Sequence, residues 1–192
     1  QALRDVLDTL IVIPNDRLLQ ISDKDIKVNE AYLKSDEILS NGVKGISGLI
    51  TQPGVINVDF ADVKTILKDA GNAVLGIGRS TGEQRAPNAA QAAISSPLLE
   101  ANMDGAEGVL ITITGSEDLK LQEVNEAARV ITERADDNAE IIFGHTVDPT
   151  LGEAVEVTVV AAGFGPRPNR RIKSDSEIDE NGGDGLPDFI KG

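Results

Sequence analysis

The chain has 192 residues, of which 40% are hydrophobic and only 3% aromatic, so it can form one domain, or one and a part, around an aliphatic core. Its formal net charge of -14 argues against nucleic acid as a partner and against direct binding to anionic lipid. The absence of cysteine excludes a disulfide framework and a thiolate zinc site, and a single histidine excludes a His-pair zinc site. No apolar run reaches about 18 residues and the first residues lack a signal-peptide core, so we expect a cytoplasmic protein without membrane insertion.

The first predicted elements are a short buried strand and a long helix. The apolar run Thr9–Ile13 predicts the strand, which Pro14 and Asn15 would end. Apolar residues at steps of three and four predict a helix over Asn29–Ile50, about 30 Å long. Three glycines lie inside this helix at steps of three: Gly42, Gly45 and Gly48. Each costs up to about 1 kcal/mol relative to alanine. We therefore expect close backbone approach to another element, with fraying as the alternative.

The stretch Pro53–Leu67 (PGVINVDFADVKTIL) carries three polar side chains where a loop becomes a helix: Asn57, Asp59 and Asp62. If the helix begins near Val58 or Asp59, the two aspartates lie three residues apart on one face. Spacing alone favours Asp59 as the N-cap and Asp62 as a first-turn acid, both stabilised by the helix dipole. The same three side chains could instead form the Mg²⁺ site of an α/β enzyme.

Helices and strands alternate after this stretch, which predicts a layered α/β domain. The predicted helices cover Phe60–Ala70, Glu83–Ser95 and Leu119–Arg134, and the predicted strands cover Ala73–Ile77, Val109–Ile113, Ile141–Val147 and Val155–Ala162. Gly76 and Gly78 are part of a near match to the dinucleotide fingerprint, which we interpret as a strand end and turn. We expect His145 to be structural or solvent-facing. The acidic residues of the last predicted helix are expected to form a solvated face: Glu123, Glu126 and Glu133.

The composition changes at Gly165, after which apolar residues are scarce. Residues 165–185 predict a disordered tether, basic first and acidic later. The chain then ends in two large apolar residues, Phe189 and Ile190, within a polar segment. A short segment of this kind is typical of a peptide that folds when it binds a partner.

The chain resembles the FtsZ family, the tubulin-like GTPases of the bacterial division ring, over almost its whole length. The segments that carry the resemblance are DTLIVIPNDRLL (8–19), PGVINVDFADV (53–63), RSTGEQRA (79–86), AISSPLLEA (93–101) and the tail. The resemblance implies a C-terminal α/β domain of the tubulin/FtsZ type, preceded by a long central helix and one strand of a truncated GTPase domain. The implied divisions are the remnant of the GTPase domain (1–28), the central helix (29–52), the synergy loop with the C-terminal domain (53–164), the linker (165–185) and a recognition peptide (186–192).

The resemblance also implies residues for two nucleotide sites. Guanine contacts in the chain's own pocket are implied for three residues: Asn15, Tyr32 and Asp36. Tyr32 stands where the family usually has phenylalanine, and the ring face is retained. Asp59 and Asp62 would orient the water that attacks the nucleotide of the next subunit, while Asn57 would hold the loop near the γ-phosphate. The family's Gly-rich phosphate loop lies upstream and is absent here, so we expect no GTP hydrolysis by this chain alone.

The protein that the resemblance implies is a GTPase that polymerises head to tail at the division site, with GTP and Mg²⁺ as its ligands. Its tail peptide would bind membrane tethers and division regulators through five residues: Leu186, Pro187, Phe189, Ile190 and Lys191. One alternative stays open, a free-standing non-catalytic module that caps or modulates filaments.

Overall fold

A computed structural model of the chain describes residues 6–13, 17, 27–51, 58–99, 103 and 105–164. The elements in chain order are β1 (Thr9–Ile11), α1 (Val28–Thr51), α2 (Phe60–Leu67), β2 (Gly71–Ser80), α3 (Arg85–Ile94), β3 (Gly108–Gly115), α4 (Leu121–Thr132), β4 (Glu140–Val147), a 3-10 helix (Pro149–Leu151) and β5 (Val155–Ala162). The predicted elements are all present, with some bounds shifted.

One five-stranded sheet connects these elements, with the strand order β1-β2-β5-β3-β4. β1 pairs with β2 in parallel and β3 pairs with β4 in parallel, whereas β5 is antiparallel to both of its neighbours. Four of the five strands therefore end at the same edge of the sheet. β1, which we assigned to the remnant of a GTPase domain, is the edge strand of this sheet in the structure. The domain assignment itself stays a prediction.

Two apolar clusters cover the two faces of the sheet. On one face α1 and α2 contribute Leu49, Val63 and Ile66, which pack with Leu75 and Leu110 of the sheet. On the other face the buried alanines of α3 and the apolar stripe of α4 pack on the alternate residues of β3 and β5. Successive side chains of a strand point to opposite faces, so β2, β3, β4 and β5 each contribute to both clusters. The result is a layered α/β domain, as the alternation predicted.

Three glycines of α1 lie against the sheet: Gly42, Gly45 and Gly48. At Gly45 an added Cβ would stand 3.1 Å from Thr158 Oγ1, and Thr112 Oγ1 donates a hydrogen bond to the Gly45 carbonyl at 3.1 Å. The predicted close backbone approach is therefore confirmed. The helix-propensity cost of these glycines is offset by the packing and the hydrogen bond that the approach permits.

The glycine pair of β2 has a different role from the one its sequence suggested. Gly76 and Gly78 lie inside β2, so the interpretation of this segment as a strand end and turn is wrong. An added Cβ at Gly78 would overlap the backbone of Ala89 and Ala93 in α3, and one at Gly76 would overlap the Ala93 carbonyl. These glycines let α3 approach the sheet at backbone distance, which also explains why the buried residues of α3 are mostly alanine.

Candidate functional site

The junction that leads into α2 is built around a helix cap. Asp59 is the N-cap of α2, with an extended backbone (φ -82°, ψ 163°), and its Oδ1 accepts a hydrogen bond from the Asp62 amide nitrogen at 2.8 Å. This bond satisfies one of the N–H groups that the first turn of a helix leaves without a partner. The interpretation of Asp59 as an N-cap is therefore confirmed.

Apolar contacts fix the position of this junction. Val58 precedes the N-cap and is only 7% exposed, and Val63, in the fourth helical position, is 3% exposed. Both belong to the buried cluster that includes Leu49 of α1. Apolar residues at these two positions are those of a hydrophobic staple, which sets the angle at which the chain enters a helix. The start of α2 is thereby held against α1 and the sheet.

The acidic side chains at this junction face solvent. Asp59 and Asp62 are both exposed, and so is Phe60 between them. Among the described residues the Asp62 carboxylate has no hydrogen-bond or ion-pair partner, so it is available to a second molecule. Asn57 lies outside the described residues. Within the described part of the chain, no cluster of three acidic or histidine side chains could hold a metal ion.

The predicted base contacts lie at the other end of α1. Tyr32 is 65% exposed and Asp36, one helical turn later, is also exposed. Leu49 lies near the end of α1 and shares a cluster with Val58, the residue before Asp59. The helix between Tyr32 and Leu49 rises by about 25 Å at about 1.5 Å per residue. The base contacts and the acidic pair therefore lie toward opposite ends of α1. Asn15 lies outside the described residues.

An arginine network that the sequence analysis missed ties together the elements around α3. Arg85 is 8% exposed, and its Nε donates to Glu123 Oε1 at 2.9 Å. Its Nη1 donates to the Glu153 carbonyl at 2.8 Å, and its Nη2 lies 3.1 Å from Asp118 Oδ2. The hydrogen bond to Glu123 raises the pKa of Arg85, and the same bond lowers the pKa of Glu123. The network joins α3, α4 and the turn before β5.

The expectation that Glu123 belongs to a solvated face is therefore wrong. Besides binding Arg85, it accepts a hydrogen bond from the Lys120 amide at 3.0 Å, which caps the start of α4. Arg85 and Glu123 are 38 positions apart. Only the packing of α3 on α4 brings them together, and no local sequence pattern reports that packing.

A polar cleft of about 540 Å³ lies between α1 and the edge of the sheet where the parallel strands end. Its charged lining residues are Glu37, Lys44, Arg79, Asp148 and Glu156. Asn41 Nδ2 donates to Glu156 Oε2 at 3.4 Å, and burial raises the pKa of Glu156. The lining carries both signs of charge, so it favours neither an anion nor a cation.

His145 is buried rather than solvent-facing, with 6% of its surface exposed. Neither ring nitrogen has a hydrogen-bond partner among the described residues, and burial lowers the pKa of the ring. Its neighbour across the sheet is Ile113 of β3. Of the two roles that we expected, the structure gives His145 the structural one.

The fold matches one class of known proteins. Residues 71–165 match the family model described as FtsZ family, C-terminal domain. The chain is 45% identical to an FtsZ from M. jannaschii, solved as an empty dimer, with a TM-score of 0.80; the match covers 84% of this chain and 47% of that one. The mixed sheet of five strands with its helices matches the fold of the FtsZ/tubulin C-terminal domain. The chain belongs to the FtsZ family and corresponds to its C-terminal portion.

More distant structures share the fold. CetZ1 from Haloferax volcanii, solved as a GDP-bound monomer, is 20% identical with a TM-score of 0.60, and the match covers 84% of this chain and 47% of CetZ1. A helical model of the TubZ-Bt four-stranded filament is 16% identical with a TM-score of 0.66, covering 84% of this chain and 43% of TubZ-Bt. The chain spans about half the length of the structures it matches. Among the described residues, no helix has the length and apolar character needed to cross a membrane.

Proposed function

We propose that this chain is the activating half of a cytoskeletal GTPase that assembles head to tail into the filaments of a division ring. The observation that carries the proposal is the separation of the two predicted nucleotide contacts along α1. Tyr32 lies near the start of α1, and α1 rises by about 25 Å from there to Leu49, which shares a buried cluster with Val58, the residue before Asp59. In a head-to-tail filament the two ends of α1 serve two different nucleotides, one of which belongs to the next subunit.

The chemistry at the shared site is positioning and electrostatics. GTP bound to the amino-terminal half of one subunit meets Asp59 and Asp62 of the next subunit, and the carboxylates orient and polarise the attacking water. Asn57 holds the loop near the γ-phosphate by hydrogen bonding. Exposed carboxylates are oxygen ligands of the kind that Mg²⁺ accepts, and the ion, when bound, neutralises charge on the phosphates. Because the site needs two subunits, assembly switches hydrolysis on.

Two of the comparisons support assembly as the context. The M. jannaschii FtsZ was solved as a dimer, and the TubZ-Bt structure is that of a four-stranded filament. The family resemblance supports the tail as the contact for membrane tethers and division regulators, through Leu186, Pro187, Phe189, Ile190 and Lys191. This tail lies outside the described residues. The expected location is the cytoplasm, at the division site.

The decisive experiment is Asp62→Ala in the full-length protein, meaning this chain preceded by a GTP-binding amino-terminal half. Hydrolysis per polymerised subunit should fall on the order of 10²-fold or more, because a group that acts on the attacking water is lost. Nucleotide affinity should stay close to wild type, since Asp62 faces the neighbour's nucleotide. A variant that hydrolyses GTP at the wild-type rate within filaments would contradict the proposal.

A second test uses the chain alone. Residues 1–192 should neither bind GTP tightly nor turn it over, because the resemblance places the phosphate-binding loop outside this sequence. Titration with labelled GTP and Mg²⁺ measures this directly. Micromolar binding with steady, Mg²⁺-dependent turnover would instead favour an α/β enzyme that uses Asn57, Asp59 and Asp62 as its own metal site.

A further inference from the structure

One edge of the sheet is open to pairing with a further strand. β4 is the last strand in the order β1-β2-β5-β3-β4, so among the described residues only β3 pairs with it. Its eight residues, EIIFGHTV, pair with β3 without a bulge, and they contain no proline, lysine or arginine and only one acidic residue, Glu140. Charged side chains, prolines and bulges are the usual protection of an edge strand. β4 therefore presents an unprotected edge.

The register of β4 shows which backbone groups lie on that edge. The amide nitrogens of Glu140 and Asp148 donate to backbone carbonyls on the β3 side, at 2.9 Å and 2.8 Å. In a ladder of this kind the residues of a strand bond alternately to one side and to the other. The even-numbered residues of β4 therefore bond to β3. The odd-numbered residues, Ile141 and Phe143 among them, direct their N–H and C=O groups to the free edge.

The side chains along the free edge are apolar on both faces of the sheet. Ile141 and Phe143 pack against the cluster under α3 and α4, and Ile142 packs against the cluster under α1 and α2. All three are only half-buried. A strand placed beside β4 would gain backbone hydrogen bonds and would also cover apolar surface on both faces, which are the two contributions that stabilise an added strand.

The chain leaves the sheet at the end where β4 begins. Ala162 of β5 lies opposite Gly108 of β3, and Gly108 lies opposite Glu140. The free edge of β4 is three strand spacings from β5, about 14 Å. Residues 165–169, GPRPN, span about 15 Å at about 3.1 Å per residue in the extended conformation that proline favours. Residue 170 can therefore reach the start of β4, and a strand that begins there runs parallel to β4.

The segment that follows is basic, and the end of the sheet that it reaches is acidic. Residues 167–173 contain four basic side chains and no acidic one: Arg167, Arg170, Arg171 and Lys173. Asp136, Asp137 and Glu140, just before and at the start of β4, are exposed. They follow the C-terminus of α4, whose dipole adds negative charge. Residues 175–188 carry only acidic charges, so charge favours the basic segment over the rest of the tail.

We propose that residues 170–174, RRIKS, add a sixth strand to the five-stranded sheet, parallel to β4 along its free edge. The amides of Ile141 and Phe143 donate to this strand, and Ile172 packs beside the half-buried side chains of the edge. The short connection gives the segment an effective concentration at the edge on the order of millimolar, so even weak pairing is populated. The free tether of the recognition peptide is then reduced to residues 175–185. This contact is independent of the proposed nucleotide chemistry.

Amide hydrogen exchange of the 192-residue chain, followed by NMR, tests the proposal. Arg171→Pro/Ile172→Pro removes one N–H on each side of the added strand, so a ladder bond is lost in either register. The amides of Ile141 and Phe143 should exchange on the order of tenfold or more faster in this variant than in wild type, because a paired amide exchanges only when its partner detaches. The Ile142 amide, which bonds to β3, should exchange at the wild-type rate and reports that the domain stays folded.

Glu177→Pro/Ile178→Pro is the matched control, since it places two prolines in the same tail beyond the added strand. Wild-type protection of Ile141 and Phe143 in this control, together with its loss in Arg171→Pro/Ile172→Pro, supports the proposal. Equal exchange of these two amides in wild type and both variants would overturn it. Protection that is lost only in the control would assign the edge to a later part of the tail. Protection that grows with protein concentration would assign it to a second copy of the chain, and either result refutes the proposal.

Discussion

The packing of α3 on β2 makes Gly78→Ala a severe test of how this domain is held together. An added Cβ would overlap the backbone of Ala89 and Ala93 and would lie 2.9 Å from the carbonyl carbon of Ala92. Ordinary contacts of a Cβ begin at 3.4 Å, and backbone atoms have no rotamer by which to move aside. The substitution therefore forces α3 away from the sheet.

The expected cost is at the upper end of the range for overpacked cores. Such substitutions cost about 1–3 kcal/mol, and the obstacle here is helix backbone rather than a flexible side chain, so we expect about 3 kcal/mol or more. Lifting α3 also separates its four fully buried alanines from the sheet: Ala86, Ala89, Ala90 and Ala93. A loss of this size is a large part of the about 5–15 kcal/mol by which a domain is usually stable.

Urea denaturation of the chain, followed by circular dichroism, measures this cost. Gly82→Ala is the matched control: nothing lies within 4 Å of its added Cβ, and only its left-handed backbone (φ 81°) is strained. That strain costs about 1–2 kcal/mol. If Gly78→Ala destabilises the chain by no more than Gly82→Ala does, the backbone-distance packing of α3 does not limit stability and the reasoning is wrong.

Three further predictions concern other parts of the chain. Arg85→Met should lower the free energy of unfolding by about 1–3 kcal/mol, because the Glu153 carbonyl and the partly buried Glu123 lose their donor; an unchanged urea midpoint would contradict this. Burial lowers the folded-state pKa of His145, so below about pH 6.5 the unfolded chain takes up a proton that the folded chain does not. The free energy of unfolding should therefore fall as the pH drops, by up to about 1.4 kcal/mol per pH unit. His145→Phe should lose that dependence when unfolding is compared at about pH 7.5 and about pH 5.5, and equal slopes would refute the assignment. Phe189→Ala should abolish or greatly weaken capture of a membrane-tethering partner by the tail peptide in a pull-down, since an aromatic anchor carries much of the affinity of such segments, and equal capture would make the segment a frayed end.

The order of helices and strands could be predicted from periodicity, but several ends could not. α2 ends at Leu67 rather than at Ala70, because Lys68 is extended and Asp69 adopts a left-handed backbone (φ 55°). α3 begins at Arg85 rather than at Glu83, because Gln84 is left-handed (φ 59°). Glutamine is not among the residue types enriched in this conformation, so the sequence carried no local signal for the start of α3, whereas aspartate is enriched in it and Asp69 gave only a weak signal for the end of α2.

β2 is longer than its apolar run for a different reason. The apolar run predicts Ala73–Ile77, whereas the strand covers Gly71–Ser80. β5 pairs with it without interruption from Ala73 to Ser80, and β1 pairs with its first residues. Pairing with a distant partner extended the strand through glycines and polar residues that a propensity argument leaves out.

The candidate site, too, could be predicted only in part from the sequence. The cap formed by Asp59 could be predicted, because capping joins residues three apart in sequence. The difference between Asp59 and Asp62 could not be predicted from their spacing. It depends on which of the two carboxylates accepts a hydrogen bond from the helix backbone, and in the structure that is Asp59. The Arg85 network could not be predicted either, because its partners come from α4 and from the turn before β5.

The position of β5 in the sheet has a consequence for how the domain is made. β5 is the last strand of the described chain, yet it lies between β2 and β3 and supplies every hydrogen-bonded link between the β1–β2 pair and the β3–β4 pair. During synthesis these two pairs can form early but stay unconnected until Ala162 has left the ribosome. Two-stranded pairs are only marginally stable on their own, and until β5 is added their apolar faces are exposed to contact with other chains. Folding of this domain is therefore completed only when its latest strand inserts at the centre of the sheet.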